Sequence, residues 1–180
     1  MSKKITSLFN FKKLQKFSSA LMLPIAILPA AGLILAIGIS FNIELLANCG
    51  GLIFANLPLL FCVGIVIGLT GDGSSSLSAI ISYMIMNATM GTQLGITAES
   101  VAASNGDYAM ILGVPTLQTG VFGGLIVAIF VYLLYTRFHN IELPQFLGFF
   151  GGKRFVPIIT AVAAIIVGYL LPWLWIPVQK

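Results

Sequence analysis

Three long stretches of this chain carry no charge. Residues 21–39, 52–69 and 155–171 contain no Asp, Glu, Lys or Arg. Each is close to the length that crosses a hydrocarbon core of roughly 30 Å at about 1.5 Å per residue. Apolar residues run through them continuously instead of alternating. They therefore read as helices, whose backbone groups are paired within the segment. The composition agrees. Of 180 residues, 58% are hydrophobic and 8% charged, where a soluble domain carries about 25% charged. So few charges cannot cover a water-facing surface. The expected fold class is an all-α integral membrane protein.

The formal net charge of +4 does not point to nucleic acid. The basic residues flank the apolar runs, the arrangement that orients membrane proteins. Cys49 and Cys62 suggest no framework. Cys62 lies within an apolar run, where cysteine acts as a small hydrophobe. His139 is the only histidine, and no metal-ligand spacing exists. The residue pattern thus nominates no catalytic residue, cofactor or metal. The spans also lack the intramembrane charge of an ion path. The first apolar run is too long for a signal h-region, and no A-x-A cleavage site follows it. It reads as a retained anchor.

About five membrane helices are expected. The first, 17–39, contains Pro24 and Pro29 and should bend inside a bundle. The second, 52–70, contains Gly64-x-x-x-Gly68, a spacing that permits close helix approach. The third, 77–90, and fourth, 119–135, are short for full spans, and charge counting is compatible with a re-entrant pair. The fifth, 155–175, ends in "LPWLWIP", whose tryptophans suit a membrane–water interface. Residues 1–16 form a basic segment with two readings, an amphipathic interfacial helix or a frayed tail.

The connections are informative. "TGDGSSSLS" (70–78) is a turn around Asp72, with Ser74–Ser76 placed to cap the next helix. It resembles a calcium loop only loosely, since the later acidic ligands are missing. Residues 92–107 form a polar loop. "MILGVPTLQTGVFGG" (110–124) should be irregular until about Val121.

With the N-terminus inside and five spans, Lys3, Lys4, Lys12, Lys13, Lys16, Arg137, Lys153 and Arg154 all face the cytoplasm. Only Lys180 faces out, a strong bias. Lys153 and Arg154 then set the direction of the last helix. That leaves "LPQFLGFFGG" before them unexplained. It is too apolar for an ordinary loop and too rich in Gly and Pro for a span. It should lie along the interface or fold back against the bundle, with Glu142 near enough to pair with a cation. Arg137, Glu142, Lys153 and Arg154 are the candidate coupling or topology residues.

At these residues a family becomes visible. "RFHNIELPQFLGFFGGKRFVPI" (137–158) resembles the membrane subunit, enzyme IIC, of the sugar phosphotransferase system. The similarity is to the glucose, N-acetylglucosamine and maltose subgroup, closest to glucose-type members. "LQKFSSALMLPIAILPAAGLILAIG" (14–38), "IFANLPLLFCVGIVIGL" (53–69) and "MILGVPTLQTGVFGG" (110–124) follow the family's order. The resemblance implies a multi-pass protein of the bacterial cell membrane whose first half forms a homodimer interface. It also implies a second half with a sugar-binding "GITEP"-like motif, and import of glucose or N-acetylglucosamine. The family is a protein-phosphohistidine–sugar phosphotransferase. Sugar is phosphorylated by a phosphocysteine on a soluble IIB domain, recharged from a phosphohistidine on IIA.

This sequence contains no "GITEP" run. Neither cysteine has the Thr-Arg-rich surroundings of the IIB phosphocysteine, and His139 falls at a loop position. The expectation is that residues 17–180 are a partial IIC membrane domain: the dimer-interface half, without the sugar-binding half and not competent alone. The alternative is a non-transporting membrane dimerisation module left by a truncated or split permease gene, with Gly64/Gly68 and Gly120/Gly124 as its contact faces.

Overall fold

The computed structural model describes residues 11–179, so the first ten residues of the basic N-terminal segment lie outside it. The chain folds into a helical bundle. Its elements are α1 (Phe11–Ala26), α2 (Leu28–Ser40), α3 (Glu44–Ala55), α4 (Leu57–Thr70), α5 (Gly73–Gln93) and a short α6 (Ala98–Ala103). They continue with β1 (Tyr108–Ile111), β2 (Val114–Leu117), α7 (Gly120–Phe138), two 3₁₀ turns (Gln145–Phe150 and Gly152–Arg154) and α8 (Phe155–Gln179).

Two prolines break what the sequence suggests are continuous helices. Pro29 and Pro58 each occupy the first turn of a new helix, α2 and α4. A missing N–H is harmless there, because first-turn donors have no intrahelical partner. Two residues before each proline stand the joints, Ile27 and Asn56. The second joint is sharp: α3 and α4 meet at 57°. The expected helix 52–70 is therefore the end of one helix, a bend and a second helix. Pro24, in contrast, lies inside α1 without ending it, and α8 runs through Pro172 to Gln179.

Glycines set the packing. A side chain on Gly68 would strike Ala20, and one on Gly64 would strike Pro24. These residues fix α1 antiparallel against α4. A side chain on Gly124 would overlap the Pro58 carbonyl, and one on Gly168 would meet Met86 and Thr89. The Gly64/Gly68 face and Gly124, read from sequence as surfaces between copies, are thus consumed inside the chain.

Among the described residues, three helical stretches are long and apolar enough to cross a membrane: Gln15–Ser40, Gly120–Phe138 and Gly152–Val178. The bent α3–α4 pair makes up to four. α5, expected at 77–90, spans 21 residues, or about 31 Å, so it is not short. Its polar residues are turned inward: Ser75, Ser78, Ser82 and Asn87 are buried, while Leu77 and Met84 are exposed. Cys62, Ile65, Val66, Tyr83, Met86, Met90, Val127 and Val131 form the core beside them.

The stretch 108–117 is an antiparallel hairpin that the sequence reading did not anticipate, with Tyr108 opposite Leu117 and Ile111 opposite Val114. Its two-residue turn, Leu112–Gly113, has positive φ at both positions. The hairpin buries Ile111 and Leu117. Gly91 in α5 lets the Pro115 carbonyl approach closely.

Candidate functional site at the polar end of the bundle

The antiparallel α1–α4 pair, together with the order of α5, α7 and α8, brings five helix ends to one end of the bundle. They are the starts of α1, α5 and α8 and the ends of α4 and α7. Lys16, Arg137, Lys153 and Arg154 lie at these ends. The acidic Glu99 and Asp107 lie beyond the end of α5, at the opposite end.

Asp72 is the centre of the polar end. Gly71 closes α4 in the left-handed conformation, φ 70°, which glycine adopts without strain. Asp72 then caps α5, its Oδ1 accepting from the Ser74 N–H at 3.2 Å. The cap is therefore Asp72 and not the serines that follow. Ser75 Oγ donates to the Asp72 carbonyl at 2.6 Å. The other carboxylate oxygen, Oδ2, accepts from the Tyr135 hydroxyl at 2.8 Å and lies 3.1 Å from Lys153 Nζ. Burial pushes the Asp72 carboxyl up. The bonds from Tyr135, Lys153 and the Ser74 N–H, with the lysine charge, outweigh it and hold the group at about 2.

The network continues through α7. His139 stacks on Tyr135, with ring centroids 5.0 Å apart and planes within 14°. Its Nδ1 lies 2.9 Å from the Tyr135 carbonyl, a distance at which a protonated Nδ1 donates. After α7 the chain folds back on itself. Gly152 N–H donates to the Ile141 carbonyl at 2.9 Å, and Leu147 N–H to Pro144 at 2.8 Å. Gly152 has φ 65°, so the tie is made where a glycine is needed. An open cleft of about 640 Å³ lies within this fold, lined by His139, Asn140, Glu142 and Gly151 among others.

Of the four sequence candidates, the structure brings Lys153 into the network. Arg154 lies beside it, its guanidinium 4.8 Å over the Phe149 ring. Arg137 and Glu142 are exposed, and neither forms an ion pair with a described residue. The expected pairing of Glu142 with a cation is replaced by Lys153 with Asp72. Capping explains this: Asp72 is fixed at the start of α5 and directed toward the loop, whereas Glu142 sits on the cleft rim facing water. A signal for Asp72 was present, since it is the only charged residue between Glu44 and Glu99.

The chain as a whole is similar to known proteins. The profile of the family described as Phosphotransferase system, EIIC matches residues 18–180. A relative from Staphylococcus saprophyticus subsp. saprophyticus, the PTS system glucose-specific EIICBA component, is 43% identical over 189 aligned positions covering 94% of this chain. This chain spans 28% of that protein's length.

Proposed function

The chain belongs to the phosphotransferase system EIIC family, and from that premise we propose that it works in phosphoenolpyruvate-dependent import of glucose or a related hexose, coupled to phosphorylation. It is a multi-pass protein of the cell membrane. The observation that carries the sugar reading is the 43% identity to a glucose-specific relative along nearly the whole chain. A non-transporting module has no comparable support.

In this reading residues 17–180 supply the scaffold half of a IIC domain. The groups that bind sugar and carry phosphate lie outside these 180 residues, which contain no "GITEP" run. The polar end, with Lys16, Arg137, Lys153 and Arg154, faces the cytoplasm by the positive-inside rule. There the cleft side of the loop, with His139, Asn140 and Glu142, meets the soluble IIB domain, which IIA recharges. The Lys153–Asp72–Tyr135 network holds that loop in register with α5 and α7. Copies associate as a homodimer through faces other than Gly64/Gly68, which α1 covers.

The test is expression in cells lacking glucose permeases, with this chain alone and with the remaining portions of the glucose-specific relative added. Uptake and phosphorylation are expected only in the second case. Robust activity from this chain alone would refute the placement of the sugar site elsewhere. Replacing Lys153 and Arg154 together by Gln separates coupling from topology: reduced phosphotransfer with normal insertion supports the docking role.

A further inference from the structure

The 3₁₀ turn Gln145–Phe150 presents an aromatic face that none of the described residues covers. Phe146 is 82% exposed and Phe149 72%, and Leu147 and Phe150 are exposed beside them. Phe149 and Phe150 meet edge to face, with centroids 5.4 Å apart. Arg154 completes the feature. Its guanidinium lies over the Phe149 ring, and Nη1 is 3.4 Å from the Phe149 carbonyl. We propose that this turn is a lipid-binding anchor, with Phe146, Phe149 and Phe150 lying in the headgroup–acyl boundary and Arg154 pairing with a lipid phosphate.

Three observations select lipid as the occupant. First, the turn is strung between two helices that cross the membrane, Gly120–Phe138 and Gly152–Val178. Both ends of the loop are therefore at the bilayer surface, and the Gly152–Ile141 hydrogen bond keeps the turn close to it. On the helices that flank the loop, Leu133 and Ile158 are exposed as well. Second, the loop's two adjacent cations have different fates. Lys153 is committed to Asp72, whereas Arg154 is exposed and meets no carboxylate among the described residues, leaving its planar fork for phosphate oxygens. Third, the aromatic face is distinct from the cleft: the cleft is lined by His139, Asn140 and Glu142 with Ile141 and Leu143, and the exposed phenylalanines are not among its lining residues. An apolar face beside a cation is the composition that holds a segment in the interfacial layer. This inference does not depend on which sugar is carried.

The experiment uses the full chain in vesicles of phosphatidylethanolamine and phosphatidylglycerol, with Trp173→Phe and Trp175→Phe to clear the background. A single indole is introduced by Phe146→Trp, by Phe149→Trp or, as a cleft control, by Asn140→Trp. At 146 and 149 we expect quenching by lipids brominated at the top of the acyl chain and shielding from acrylamide. At 140 we expect the reverse. Raising the phosphatidylglycerol fraction should strengthen the bromolipid quenching, and Arg154→Gln should abolish that dependence. Acrylamide quenching at 146 and 149 equal to that at 140, without bromolipid quenching, overturns the proposal. Shielding that appears only on adding a IIB domain, or only at high protein-to-lipid ratio, overturns it too, because a protein and not lipid would then be the occupant.

Discussion

The ammonium of Lys153 lies 3.1 Å from the carboxylate of Asp72, across 81 residues of sequence and between the start of α8 and the start of α5. The Asp72 side chain is 15% exposed and the lysine 60%, so water screens the pair on one side only. Asp72→Ala should cost the most, since it removes an N-cap, about 1 kcal/mol, together with the ion pair. Lys153→Gln should cost about 0.2–1 kcal/mol. A cycle of Asp72→Asn with Lys153→Gln, read by thermal unfolding in detergent, should show coupling in that same range. Strict additivity would mean that the loop is not held by this contact.

Acid should release the latch late. The Asp72 carboxyl is held at about 2, below its ordinary 3.8. A depressed folded value means the stabilisation is complete above the ordinary value and is lost as pH falls through the folded one. The stability difference between the native chain and Asp72→Asn should therefore be flat above pH 4 and shrink between about pH 4 and 2. Other carboxylates titrate in both proteins and cancel. A difference that vanished already at pH 5 would show that Asp72 is not protected by Tyr135 and Lys153.

The membrane class was legible because uncharged runs have one physical explanation, and the Pro-rich joints were visible as prolines. Their consequence was not. Pro24 continues a helix while Pro29 and Pro58 begin new ones, and a proline in the sequence does not by itself say which. Helix α5 looked short because Ser75, Ser78, Ser82 and Asn87 depress its apolar character. Hydropathy cannot tell a polar face turned inward from one facing water. At the polar end, Lys153 and Arg154 could be nominated from charge placement. Their partners could not, because Asp72 and Phe149 reach them only through the folded loop.

Neighbouring glycines in α3 should respond in opposite ways. A methyl group on Gly50 would lie 2.7 Å from the backbone of Leu35 in α2, while one on Gly51 meets nothing within 4 Å. Gly50→Ala should push the α2–α3 pair apart at a cost of about 1–3 kcal/mol, the usual range for overpacking. Gly51→Ala should be neutral or stabilise by about 0.5–1 kcal/mol, since glycine is a poor residue in a helix interior. Thermal melts of the two single variants decide the matter. Equal effects would mean that α2 and α3 do not pack through Gly50.

The hairpin turn offers the last test. Leu112 has φ 52° and Gly113 φ 80°, the pattern of a two-residue turn that needs positive φ at both positions. Glycine adopts this freely, but a leucine Cβ crowds the carbonyl, at about 1–2 kcal/mol. Leu112 is also 44% exposed, so its side chain contributes little packing to offset the strain. Leu112→Asn should keep the turn and relieve part of that cost, raising stability by about 0.5–1 kcal/mol. Slower amide exchange in β1 and β2 should accompany the rise, because the strained turn limits how firmly the two strands close. A variant that exchanged faster would show that Leu112 holds the turn through contacts that outweigh its backbone strain.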